Sequence, residues 1–177
     1  WLEAQNSSFQ AGATPDLQVI KSTVDTLGIW ANDVAFTPLF NAMRIKYSEE
    51  IRIAAEQAIL KLPGDPKDLY SSIIKDRPMD EKVNALRTVL RMEEFTEEEK
   101  AELSQTALSV ALYTNLKDTD VQQDARIIRY TATEELSRQS WSEATKLTIE
   151  HFNQTITEFD KGISAKAFLV SAINALG

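Results

Sequence analysis

Two features of this chain could take part in acid–base or metal chemistry: a single histidine and a run of glutamates. His151 follows Glu150, and residues 93–102 hold six glutamates and one lysine. A zinc site takes its ligands from several Cys, His or carboxylate side chains, whereas this chain has no cysteine and no second histidine. We therefore expect His151 to be a solvent-facing or half-buried structural residue, and we predict no metal and no other cofactor.

The glutamate run has a structural explanation that we favour over a cation site. Thr96 stands three residues before Glu99, which is the spacing of a capping box at the start of a helix. Acidic side chains also stabilise the positive N-terminal end of a helix. Ser140 and Glu143 repeat this spacing, so we predict that they open a second long helix.

No catalytic motif is present in the sequence. It contains no glycine-rich phosphate loop, no HExxH zinc motif and no strand–turn–helix serine elbow. We therefore predict no catalytic residue. An acid–base pair assembled from distant residues stays open, so a helical enzyme with a dispersed polar active-site pocket is kept as an alternative.

The elements that would position these residues are helical hairpins. The stretch 37–64 predicts two helices joined by a sharp turn. Thr37 is a suitable N-cap for the first helix and Ser48 for the second, and Pro63-Gly64 ends the hairpin. Two short antiparallel helices cannot bury both of their apolar faces alone, so such a hairpin needs neighbours.

The hairpin is repeated along the chain. A shift of 30 residues matches it with the segment that follows, and looser matches occur at shifts of 77 and 114. Gly28 is expected to end a preceding helix, and Ile29 and Trp30 to pack against the first hairpin. The predicted parts are a flexible N-terminal arm over 1–13, a capping helix over 14–27, and hairpins over 33–62, 66–92, 99–138 and 141–177, with 14–177 forming one repeat domain.

The second helices resemble those of the HEAT-repeat (armadillo-type) family, which combine valine–arginine with alanines and leucines at helical spacing. The most similar segments are IRIAAEQAILKL and AKAFLVSAINAL. Asp76 and Asp160 each stand six residues before a lysine, Lys82 or Lys166, as the turn aspartate of that family stands before its arginine. The resemblance implies an all-α fold, a right-handed α-solenoid of about four antiparallel helical hairpins.

In HEAT-like solenoids the second helices line the concave side. Over the spans of these helices we count nine Lys and Arg against six Asp and Glu, although the net charge of the chain is −8. Such a ridge would bind an acidic or amphipathic segment of another protein. The alternative is that these cations pair with turn aspartates and complement helix dipoles. The residues predicted to contact the partner are Arg52, Lys82, Arg87, Arg91, Arg129 and Lys166.

The last predicted helix, over 164–176, is more apolar than the polar cap that normally closes a solenoid. The residues of this predicted terminal interface are Phe168, Val170, Ile173 and Leu176. An exposed apolar face marks an interface or a missing neighbour. We therefore expect a further repeat beyond Gly177, or docking against a second chain that includes self-association. The alternative is that the preceding hairpin buries this helix.

Composition limits the class of protein. Of 177 residues, 43% are apolar and 26% are charged, as in an ordinary globular domain. The net charge of −8 disfavours nucleic acid, because phosphate binding needs a basic surface. No run of 18 apolar residues is present, so we predict a soluble protein without a transmembrane segment. The lack of cysteine slightly favours an extracytoplasmic compartment over the cytoplasm.

Together these observations predict a non-enzymatic scaffold or adaptor. It would bind a protein partner segment along its concave helical face. Besides the enzyme, a structural spacer within a larger assembly is an alternative. The three hypotheses differ in where polar groups should converge: a pocket of polar residues with shifted pKa values would favour the enzyme.

Overall fold

The structure, a computed structural model, describes residues 1–45, 47–113, 119–138 and 145–176. These residues form ten α-helices and one 3-10 helix, Asp33–Ala35, with no strand among them, which confirms the all-α prediction. None of these helices is both long and apolar enough to cross a bilayer. The helices are α1 Leu2–Gln10, α2 Leu17–Trp30, α3 Phe36–Arg44, α4 Glu49–Ile59, α5 Pro66–Asp76, α6 Met79–Arg91, α7 Glu97–Tyr113, α8 Thr119–Leu136, α9 Thr145–Asp160 and α10 Lys166–Asn174.

The chain divides into two compact units. We call Trp1–Pro66 unit 1 and Lys67–Gly177 unit 2. The single repeat domain over 14–177, the number of hairpins and the right-handed solenoid stay predictions.

Two parallel helices form the centre of unit 1. Lys21 Nζ lies 3.7 Å from Glu50 Oε1, and Gly28 lies against Ala58, so residue numbers rise together along α2 and α4. Helix α3 packs against α4, and α1 packs against α3. Apolar side chains four residues apart share one helix face. The fully buried ones on α2 and α4 are Ile20, Val24, Ile51, Ala55 and Ile59.

The N-terminal segment differs from the flexible arm predicted over 1–13. Leu2–Gln10 is helical, and Leu2 and Asn6 are buried. Asn6 donates to the Pro38 carbonyl at 3.1 Å and accepts from the Tyr47 hydroxyl at 3.0 Å. The Phe9 ring packs on Tyr47 with centroids 4.6 Å apart. The polar composition of the segment concealed three anchors at helical spacing: Leu2, Asn6 and Phe9.

The helix ends in unit 1 confirm one predicted cap and correct two other predictions. Ser48 Oγ accepts from the Ile51 amide at 3.2 Å, as a cap of α4 should. Thr37 is not a cap, because Asn32 accepts from Val34 and starts a 3-10 turn that leads directly into α3. Gly28 does not end α2, which continues to Trp30.

In unit 2, helix α8 packs against α6, α7 and α10, and α9 packs against α7 and α10. The predicted capping box at the start of α7 is confirmed. The Thr96 amide donates to Glu99 Oε2 at 2.8 Å, and the Glu99 amide donates to Thr96 Oγ1 at 3.2 Å. The capping box predicted at Ser140 and Glu143 lies outside the described residues.

Candidate interaction surfaces

Lys82, one of the predicted partner-binding cations, is only 6% exposed. Its ammonium group donates to the carbonyls of Ile74 and Lys75 at 2.7 and 2.5 Å. These carbonyls belong to the last turn of α5, where a helix leaves its acceptors unpaired. Burial lowers the pKa of Lys82, while the charge of Asp76 acts in the opposite direction. Lys82 is therefore a C-terminal cap of α5, and its assignment to a partner-binding ridge is corrected.

Arg129, a second predicted contact, is 2% exposed and lies in the interior of unit 2. Its Nη2 is 2.5 Å from Glu158 Oε1 on α9, and its guanidinium carbon is 5.6 Å from the centroid of the Tyr130 ring. A buried charge needs such a partner within the fold. Arg129 cannot contact a partner segment in this state, so its predicted role is also corrected. The alternative, that these cations pair with turn aspartates and complement helix dipoles, agrees with Lys82 at the end of α5, whereas Arg129 pairs with Glu158, which is not a turn aspartate.

Arg52 lies in unit 1 and forms ion pairs within its own helix. It bonds to Glu49 three residues earlier and to Glu56 four residues later, the latter at 2.5 Å. The hydrogen bond to Glu49, followed by the interactions with Glu56, raises the pKa of Arg52 against the effect of burial. Pairs at these spacings are ordinary on helix surfaces, so the ion pairs within α4 are enough to explain a cation at position 52.

The remaining three cations of the predicted ridge, Arg87, Arg91 and Lys166, are exposed in unit 2. Arg87 is close enough to Asp124 of α8 for its charge to affect the pKa of that carboxyl group. Burial raises the pKa of Asp124, Asp80 and Asp120 raise it further, and the charge of Arg87 lowers it. The binding role of these three side chains stays a prediction.

The predicted terminal interface is exposed in the structure. Helix α10 buries only Ala172. The exposed fractions of the four predicted side chains are 39% for Phe168, 45% for Val170, 50% for Ile173 and 37% for Leu176. We call these four residues the α10 patch. The alternative that the preceding hairpin buries this helix is wrong, while the role of the patch as an interface stays a prediction.

One aromatic contact positions the α10 patch. The Phe168 ring stacks on Tyr130 of α8, with centroids 3.9 Å apart and planes 5° from parallel. The Tyr130 hydroxyl donates to Glu158 Oε2 at 2.8 Å and lies 2.9 Å from Ser164 Oγ. Because α10 also packs against α9, one side of the helix is fixed and the apolar side chains that remain face solvent.

A second apolar surface lies in unit 1, where the sequence predicted packing. Ile29 and Trp30 were expected to be covered by the first hairpin, yet they are 81% and 58% exposed, and Val34 is 67% exposed. Gly28 faces Ala58 of α4, so the geometry of the helix turns the next two side chains of α2 away from this contact. A surface groove adjoins Ile29. The groove measures about 280 Å³ and is lined by Asp25, Gly28, Ile29, Ala54, Gln57, Ala58 and Lys61.

His151 is fully buried on α9, and not solvent-facing or half-buried as predicted. Burial, together with the charge of Arg129, lowers the pKa of His151 to about 3, so the imidazole is neutral at pH 7. Its ring packs edge-on to Tyr130, and Thr155 Oγ1 lies 3.4 Å from Nε2. The structural role predicted for His151 stays a prediction.

Several buried polar atoms of unit 2 have no hydrogen-bond partner in the described part of the chain. They are Ser104 Oγ, Arg129 Nη1, Thr133 Oγ1 and His151 Nδ1. Buried polar groups are normally paired, often through an ordered water. Among the residues that the structure describes, no group of three or more His, Cys, Asp or Glu is placed to hold a metal ion.

Comparison with protein-family models, with curated proteins and with solved structures finds no match to this chain. The resemblance to HEAT repeats therefore rests only on the sequence segments described above, and it stays a prediction.

Proposed function

We propose that this chain is a non-enzymatic protein-interaction module that holds a partner helix on the α10 patch. The observation that carries the proposal is the exposure of α10. This helix buries only Ala172, although it contains the apolar residues Phe168, Val170 and Ile173, whose exposure to water is unfavourable. Contiguous exposed apolar side chains of this kind mark interaction sites on folded proteins.

The chemistry of the patch indicates the kind of partner. Val170 and Ile173 stand three residues apart on α10, which places them on one side of the helix, and Leu176 follows two residues after the helix ends. An amphipathic helix, with apolar residues at matching spacing, fits such a surface. Exposed Lys166 stands at the start of α10, so an acidic residue on the partner would find a complementary charge there. The partner is therefore an acidic amphipathic helix of another protein.

The arrangement of unit 2 supports a scaffold with stacked helices. Helix α8 packs against both α6 and α10, and α7 packs against α9, so helices two places apart in the chain contact each other. We extend the proposal to the α-solenoid of about four hairpins that the sequence predicts, in which every second helix stacks in one layer. The enzyme and the spacer remain alternatives without an observation that favours them.

The experiment that tests this function is site-specific photo-crosslinking in the cells that make the protein. A photoreactive amino acid at Val170 should capture a discrete partner. The same group at Ile149 should not, although Ile149 has the same exposed fraction of 45%. Captured proteins are identified by mass spectrometry and then purified for binding measurements. Equal capture from both positions would contradict the proposal.

Binding measurements with the purified partner give the quantitative test. Burying one aliphatic side chain contributes about 1.5–3 kcal/mol, so Val170→Lys should weaken the affinity at least tenfold in fluorescence anisotropy. Ile149→Lys places the same charge on an equally exposed position of the same unit and should leave the affinity unchanged. If Val170→Lys binds the partner as the wild type does, the α10 patch is not the binding surface.

A further inference from the structure

We propose that two copies of this chain associate through the α2–α4 face of unit 1, around a two-fold axis. We define this face by the groove between α2 and α4 together with Ile29, Trp30, Val34 and Ile53. The proposal is independent of the α10 patch, because it rests on different residues in the other unit. Three observations carry it: a projection beside a recess, opposite charges in one groove, and the extent of the exposed apolar surface.

The projection and the recess lie side by side on the same surface. Ile29 is 81% exposed and lines the groove. The recess exists because three small residues, Gly28, Ala54 and Ala58, line it. A cavity of about 150 Å³ holds a benzene-sized molecule, so a groove of about 280 Å³ accommodates an isoleucine side chain. A two-fold rotation places each Ile29 opposite the groove of the other copy, which is the requirement for a self-complementary interface.

The charges of the groove are also self-complementary. Asp25 and Lys61 both line it and carry opposite charges. In a two-fold contact, Asp25 of each copy faces Lys61 of the other, so one interface contains two equivalent ion pairs. Gln57 lies in the same groove, and its side-chain amide carries both donors and an acceptor. Asp25 also accepts from Lys21 of its own helix at 2.9 Å, so in the two-fold contact its carboxylate would lie between Lys21 and Lys61 of the other copy.

The apolar surface sets the expected strength of association. Trp30, Val34 and Ile53 are 58%, 67% and 47% exposed; Trp30 follows Ile29 in the chain, and Ile53 stands four residues before Gln57 of the groove on α4. Stable complexes bury about 800 Å² on each partner, whereas four side chains and one groove supply less than that. Each copy also carries a net charge of −8, whose repulsion is screened beyond about 8 Å at physiological ionic strength. We expect a dissociation constant in the micromolar range.

Sedimentation equilibrium of the full chain tests the proposal at loading concentrations from about 1 to 300 µM. The wild type should shift from monomer to dimer over this range. Ile29→Asp should stay monomeric, because it places a carboxylate in the recess of the other copy. Ile149→Asp, the same change at an exposed position of unit 2, should dimerise like the wild type. A wild type that is monomeric throughout, or Ile29→Asp that dimerises normally, overturns the proposal.

A charge exchange tests the two-fold geometry itself. Asp25→Lys and Lys61→Glu should each weaken self-association at least tenfold, because like charges then face each other twice. An equimolar mixture of the two variants should associate as strongly as the wild type, because both contacts across the mixed dimer join opposite charges. Asp25→Lys also removes the exposed ion pair with Lys21, and because such surface pairs contribute little to stability, far-UV circular dichroism should show both variants folded. A mixture that stays monomeric overturns the two-fold pairing, even if the wild type dimerises.

Discussion

Replacing Gly28 by alanine should destabilise unit 1, although alanine is the better helix former. An alanine Cβ at this position would lie 2.8 Å from Ala58 Cβ and 3.0 Å from Ala58 Cα. Forcing an extra carbon into a packed contact costs about 1–3 kcal/mol. The gain in helix propensity from glycine to alanine is about 1 kcal/mol. We therefore expect Gly28→Ala to lower the free energy of unfolding by about 1 kcal/mol net.

Urea unfolding followed by far-UV circular dichroism measures this change, with two further variants as controls. Ser22→Ala changes an exposed residue of the same helix and should raise stability by a few tenths of a kcal/mol through propensity alone. Gly28→Ala combined with Ala58→Gly removes the Cβ–Cβ contact, so the double variant should be about 1 kcal/mol more stable than the sum of the single changes predicts. A stabilising Gly28→Ala would refute the close packing of α2 on α4.

The other predictions concern unit 2. Lys82→Met removes the donor to the last carbonyls of α5 and should lower the free energy of unfolding by about 1–3 kcal/mol. Lys75→Met, at an exposed position, should change it by less than about 0.5 kcal/mol. Equal effects of the two variants in urea unfolding would contradict the role of Lys82 as a cap. Thr96→Ala should cost about 1 kcal/mol by the same assay, because the capping box is lost, and no loss would contradict that role. The folded-state pKa of His151 is about 3 against an ordinary value of 6.5, so the unfolded state binds more protons between these values and stability falls as the pH drops through this window. Between pH 7 and 5 the wild type should lose about 2 kcal/mol more than His151→Gln, and equal losses would show that His151 is not buried neutral.

Helix starts with a side-chain acceptor at the right spacing could be predicted from the sequence. Ser48 and Thr96 are caps because the geometry of a cap is local and depends on two to four neighbouring residues. Thr37 fits the same local rule and still is not a cap. Asn32 starts a 3-10 turn upstream, and the chain is already helical when it reaches Thr37. Two nearby caps compete, and the sequence alone does not rank them.

Contacts between distant helices could not be predicted by local rules. Glycine commonly ends a helix, but Gly28 instead lets α2 approach Ala58, which is thirty residues away in the chain. Likewise the N-terminal arm is helical because Asn6 and Phe9 find Pro38 and Tyr47. Nothing within residues 1–13 indicates these partners.

Among the candidate binding residues, too, local features could be predicted from the sequence and contacts between helices could not. The apolar stripe of α10 could be predicted because its side chains share one helix face. The basic ridge was derived from charge counts, which do not distinguish an exposed cation from a buried one. Lys82 and Arg129 are buried because α5 ends beside one and Glu158 faces the other. Both facts depend on packing between helices.

The boundary at Pro66 has a consequence for how the chain is synthesised. The helix contacts described for unit 1 all join segments within its first 66 residues, so this unit has its packing partners as soon as residue 66 has left the ribosome. At about 5–20 residues per second, translating residues 67–177 takes roughly 5–20 s. Small helical units fold in milliseconds or less. We therefore expect unit 1 to fold during translation and to present Ile29 and Trp30 to chaperones, and to neighbouring nascent chains on the same polysome, before unit 2 has been made.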